Sequence, residues 1–175
     1  MKRLRTSLMA LAVVCGLSVT VFAQGNPRGT SKITVNGQTV DVEYGRPSLK
    51  GRTVSQLLSK LKPGQFWRLG ADKSTTFTAS ADLDFNGTKV PKGIYSLWAE
   101  RQANNSWKLV FNGQHGQWGT SHDPSKDLVS VPLKEGKSAS SAEMVTISLA
   151  ESGSGGKITI NWGDLELSTD FTVAS

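Results

Sequence analysis

From about residue 31 onward, apolar and polar side chains alternate with a period of two. Ile33 and Val35 share one face while Lys32 and Thr34 take the other, and Val40, Val42 and Tyr44 then alternate with Thr39, Asp41 and Glu43. A period of two puts successive side chains on opposite faces of a pleated strand, so each run describes a strand with one buried face. Between the two runs stands Asn36-Gly37, a dipeptide suited to the positive φ angles of a two-residue type I′ turn. The segment is predicted to be a hairpin. Asn86-Gly87 repeats the signal between residues 82–85 and 88–90. Further strands are predicted over 75–79, 94–101, 107–112, 128–133, 143–150, 157–162 and 165–173. In the last two, Ile158, Ile160 and Trp162 face one way, followed by Leu165, Leu167 and Phe171.

One stretch departs from this alternation. Thr53-Val-Ser-Gln56 has the spacing of a capping box, and Val54, Leu57, Leu58 and Leu61 fall on one helical stripe before Pro63-Gly64. This predicts a single short helix over 54–61, covering one end of the sheet system. Short strands at regular spacing, with Gly and Asn at the turns, predict an all-β fold. The expected architecture is a single-domain antiparallel β-sandwich or flattened barrel with one short α-helix. The domain is expected over 31–175, after a flexible lead-in at 24–30. The Ser/Gly run at 152–156 is too short for a linker and joins two strands.

The amino terminus has a different character. Met1-Lys-Arg-Leu-Arg5 is cationic, an apolar run follows from about Leu8 to Phe22, and Val21-Phe22-Ala23 supplies small residues at the positions a signal peptidase reads. This predicts a cleaved secretory signal over 1–23 and a periplasmic or extracellular protein. A membrane anchor needs about 20 apolar residues, more than this run has. A lipoprotein cut at Cys15 would need a smaller residue than Val14 before it. Processing after Ala23 leaves 152 residues and removes the one cysteine. It takes three of the 20 Lys and Arg and none of the 14 Asp and Glu, so the formal charge drops from +6 to +3. So modest a balance does not predict nucleic-acid binding, which wants a clustered basic face. No further apolar run is long enough to span a membrane.

Candidate chemistry concentrates in two irregular stretches, Tyr44-Gly-Arg-Pro-Ser-Leu-Lys-Gly-Arg52 and Phe66-Trp-Arg-Leu-Gly-Ala-Asp-Lys-Ser-Thr-Thr-Phe77. Arg46, Lys50, Arg52, Arg68 and Lys73 flank the short helix. Guanidinium forks match carboxylate or phosphate, and nearby glycines let backbone N–H groups approach the same anion. The competing reading pairs Arg46 with Glu43 and Arg68 with Asp72 as internal braces. Trp98, Trp107 and Trp162 lie in predicted strands and suit the core. Trp67 and Trp118 sit beside glycine-flanked loops, where each either offers its face to a sugar or cation or plugs an open end of the sandwich.

His115 and His122 are read as solvated loop histidines, since His-x6-His matches no closed metal-ligand spacing. No metal and no cofactor is expected. Ser121-His122-Asp123 is contiguous, whereas catalytic triads assemble from separate elements. Asp72 is the one candidate acid or base for a hydrolase.

The motifs together are similar to a bacterial family, the domain of unknown function numbered 2911. The resemblance rests on residues 44–52, on Phe66 to Thr76, on Pro91 to Leu97, on Trp107 to Asn112 and on Gln117-Trp-Gly119. It implies an exported β-rich protein and carries no assigned activity. Where the family commonly has Asn-Glu, this chain has Asp72-Lys73, so the family's Glu is either absent or displaced to Asp72. The expectation for function is a small anionic or sugar-like ligand in a basic, Trp-bearing pocket lined by Arg46, Lys50, Arg52, Trp67, Arg68, Asp72, Lys73 and Trp118. A hydrolase using the same pocket and a structural cell-envelope protein are the alternatives. No oligomeric state is written in these patterns.

Overall fold

The structure, a computed structural model, describes residues 25–174. The signal segment expected over 1–23 lies outside the described residues. Strands β1 (Arg28–Val35) and β2 (Gln38–Gly45) form the first hairpin, closed by Asn36 and Gly37, both at positive φ. Strand β1 starts earlier than the lead-in at 24–30 allowed, because Arg28 pairs in register with Gly45.

Helix α1 (Val54–Leu58) follows, then β3 (Phe66–Trp67), β4 (Thr76–Ala79), β5 (Leu83–Phe85), β6 (Thr88–Val90), β7 (Gly93–Arg101) and β8 (Trp107–Asn112). After a 3-10 turn at Pro124–Lys126, two long strands complete the fold, β9 (Asp127–Ser152) and β10 (Gly155–Val173).

All pairings are antiparallel, and the sheet path runs β1-β2-β4-β7-β8-β9-β10-β5-β6, with β3 added beside β7. The path is open, so the fold is a sandwich and not a closed barrel. It folds back on itself through β9 and β10. The first part of β9 pairs with β8, while its second half lies over β1 and β2, where the Leu149 N–H donates to Ser31 Oγ at 2.9 Å. Side chains of the two layers meet between them. Phe111 of β8 contacts Phe85 of β5 at 5.3 Å between ring centroids, and Trp67 of β3 stacks on Trp162 of β10 at 5.6 Å.

Two expectations change here. The strands predicted over 128–133 and 143–150 are one strand, as are those over 157–162 and 165–173. The intervening Lys134–Ala142 is too polar to show a buried face. It stays extended because Lys134 to Lys137 pair with Leu165 to Ser168. A bulge around Gly163, at φ +58°, lets β10 bend and continue rather than turn.

Helix α1 is shorter than predicted, but its start is as read. Thr53 Oγ1 accepts the Gln56 N–H and Gln56 Oε1 accepts the Thr53 N–H, a reciprocal capping box. Val54 is buried, and Leu57, Leu58 and Leu61 pack against the core, so the segment roofs one end of the sandwich. Among the described residues, no helix is long and apolar enough to cross a membrane.

Candidate functional site

The two arginine-bearing stretches meet backbone to backbone. A Cβ on Gly45 would overlap the Ala71 carbonyl oxygen, and one on Gly70 would stand 3.0 Å from the Gly45 carbonyl oxygen. Only glycine at both positions permits this crossing. A third segment joins them: the Gly119 N–H donates to the Asp72 carbonyl at 2.7 Å, the Ser74 N–H donates to the Gln117 carbonyl at 2.9 Å, and Lys73 bridges Trp118. Gly119 is required in turn, because a Cβ there would lie 2.8 Å from the Asp72 carbonyl oxygen. Residues far apart in sequence thus form one junction at the end of the sandwich that α1 covers.

Beside this junction opens a groove of about 790 Å³. Leu57, Leu58 and Leu61 line it from the helical segment, Phe66, Trp67 and Arg68 from β3 and the following loop, and Trp98 and Trp162 from β7 and β10. Its charge is one-sided. Arg52, Lys60 and Arg68 reach it, and no Asp or Glu is among its lining residues.

The predicted site residues divide around this groove. Arg52, Trp67 and Arg68 line it. Arg68 is half-buried and, among the described residues, its guanidinium has no hydrogen-bond or ion-pair partner, while the Arg52 guanidinium commits only Nε, at 2.9 Å to the Leu49 carbonyl. Arg46, Lys50, Asp72, Lys73 and Trp118 do not line it.

Arg46 turns instead to β9, donating from Nε to the Val145 carbonyl and from Nη2 to Thr146 Oγ1, both at 3.1 Å. Lys50 is exposed at φ +51°, and its backbone N–H donates to Glu143 at 2.9 Å. Asp72, at φ +62°, accepts the Asn26 N–H at 2.8 Å. Lys73 is exposed, and Trp118 stands 56% exposed on the outer side of the junction. The expected braces are also different: Glu43 is held by Arg28 at 2.8 Å, not by Arg46, and Asp72 does not meet Arg68.

The residue that sequence reasoning missed is His122. It is no solvated loop histidine, because its side chain is only 10% exposed. Its ring lies between Phe66 and Trp98, with centroids at 4.1 and 4.5 Å, and it lines the groove. Nε2 meets Asp127 Oδ1 at 2.8 Å, and that oxygen also accepts the side-chain amide of the fully buried Asn112 at 2.7 Å. The neighbouring Asp123 caps the 3-10 turn, where the Ser125 hydroxyl and backbone N–H lower its pKa. The usable signal was Asn112, which ends a family motif and whose buried amide demands a partner. His115 remains exposed. Among the described residues there is no group of three or more His, Cys, Asp or Glu able to hold a metal ion.

Fold and groove define an all-β sandwich protein with a cationic, indole-floored groove under a short helical roof. The chain belongs to the family described as protein of unknown function DUF2911, whose model matches residues 26–171. No curated protein and no solved structure matches it.

Proposed function

We propose that this chain is an exported binding protein that holds a small anionic ligand with an apolar body in the groove beneath α1. The observation that carries the reading is the one-sided charge: Arg52, Lys60 and Arg68 face about 790 Å³ of space whose lining includes leucines and indoles and no Asp or Glu. An anion held by a guanidinium gains charge-assisted hydrogen bonds, and leucines and indoles bury the rest of the molecule. A sugar-like ligand is less well served. Trp67 and Trp162 stack on each other, Trp98 packs against His122, and all three are buried, so they offer little open face. The hydrolase reading loses Asp72 as its acid or base, since that residue is engaged by Asn26 outside the groove. Export rests on the basic, apolar and small-residue order of residues 1–23.

The test is a thermal-shift titration of residues 24–175 with phenyl phosphate and benzoate, against benzyl alcohol and methyl glucoside. A ligand at a hundred times its Kd stabilises the fold by about 2.7 kcal/mol. Both anions should raise Tm and both neutral compounds leave it unchanged. A flat response to the anions would favour a structural cell-envelope role instead.

A further inference from the structure

We infer that His122 Nδ1 is a proton acceptor built into the groove, so that the site is equipped for general-base chemistry on the anion it holds. The inference rests on the anion-binding reading for its substrate class, and on separate geometry for the base.

That geometry begins with the tautomer. Asp127 Oδ1 stands 2.8 Å from His122 Nε2 and can only accept, so Nε2 carries the proton and the lone pair of the neutral ring is on Nδ1. The carboxylate is itself held in place by the amide of Asn112, which also donates to the Asp123 carbonyl at 2.8 Å. Phe66 and Trp98 pack against the ring, with centroids at 4.1 and 4.5 Å, and limit its rotation.

Nδ1 has no hydrogen-bond partner among the described residues. It is nonetheless not sealed off, because Trp162 Nε1 is the one buried side-chain polar atom left unpartnered among them. The ring that carries this nitrogen lines the same groove as Arg68.

A histidine that merely filled space would not need a carboxylate, an anchoring amide and two packed aromatic rings to set its orientation. The pattern is that of a base whose orienting partner fixes the tautomer. The step is a simple one. A proton leaves an O–H of the bound anion, or of a water lying against it, for the Nδ1 lone pair. Nε2–H stays on Asp127, whose charge balances the imidazolium until the proton returns. Asp127 and Asn112 are positioning residues, and Arg68 holds the anionic end.

Competitive alkylation tests this without knowledge of the substrate, because the chain has two histidines and exposed His115 is an internal reference. The protein is treated with bromoacetate, an anion, and in parallel with neutral bromoacetamide, and alkylation at each histidine is followed by peptide mass spectrometry. Bromoacetate should modify His122 faster than His115 by about tenfold or more, the range of electrostatic enrichment in a charged cleft. Arg68→Met should remove that excess, while Tm confirms that the variant folds. If bromoacetate and bromoacetamide prefer His122 equally and Arg68→Met changes nothing, the anion reading fails and the base stands. If His122 reacts no faster than His115, or not at all, the inference is overturned, since a nitrogen that bromoacetate cannot reach cannot serve a substrate.

Discussion

Arg46 and Arg68 look alike in the sequence, and their surroundings set opposite consequences for removing each charge. Arg46 makes two hydrogen bonds to β9, tying the first motif to the opposite layer. A hydrogen bond from a charged donor contributes about 1.5–3 kcal/mol, and the half-buried position argues for the lower end. Arg46→Met should therefore cost about 2–3 kcal/mol, which for a domain of this size lowers Tm by about 5–10 °C. Arg68 has no such partner, and its stem packs near Gly119, within 3.3 Å of where a Cβ would stand. Methionine keeps that stem, so Arg68→Met should stay within about 0.5 kcal/mol of the parent. The assay is urea denaturation of both variants with m-values compared, followed by phenyl phosphate titration. The midpoint should fall for Arg46→Met alone, and binding should be lost for Arg68→Met alone. Equal loss of stability in the two variants, or a greater loss for Arg68→Met, would refute the division between brace and ligand contact.

Two further outcomes follow from the junction. Gly45→Ala drives a methyl group into the Ala71 carbonyl, a backbone clash that should cost about 3 kcal/mol by thermal unfolding; a loss under about 1 kcal/mol would mean that the two motifs separate easily. Glu143 accepts the Ser48 hydroxyl and the Lys50 N–H, which hold its pKa below the ordinary 4.5. A depressed carboxyl stabilises the fold above its unfolded value and loses that contribution as pH falls through the folded one. Glu143→Gln should accordingly be less stable than the parent at pH 7, with the gap closing below pH 4.5, and a deficit equal at both ends of that range would disprove the linkage.

The legible parts of the molecule were those fixed by local chemistry. The turns at Asn36-Gly37 and Asn86-Gly87 need positive φ, the capping box needs Thr53 and Gln56, and alternation needs a buried face; each shows in a few adjacent residues. The polar middle of β9 was illegible because cross-strand hydrogen bonds, not hydrophobicity, keep it extended. The site was half legible. Glycines and arginines marked where the motifs meet, but nothing local tells whether a guanidinium turns to β9, as Arg46 does, or into a groove, as Arg68 does. His122 was hidden for the same reason: Asp127 lies five residues on, but the rings of Phe66 and Trp98 that bury it come from β3 and β7.

The sharing of β9 between the layers bears on how the protein comes apart. One end of this strand is zipped to β8 and the other lies across β1 and β2, while β10 accompanies it along most of its length. Neither layer can peel away as an independent unit, because opening either one breaks the pairing of β9 with β10 on both sides of the Gly163 bulge. Exchange of the amides paired between β9 and β10 should therefore occur only through global unfolding. The roof of α1, held chiefly by leucines and a capping box, is left as the segment able to open alone. Rigidity and access are thereby assigned to different stretches of chain: on the proposed reading, a ligand enters beneath α1 without loosening the frame that holds His122 and Arg68.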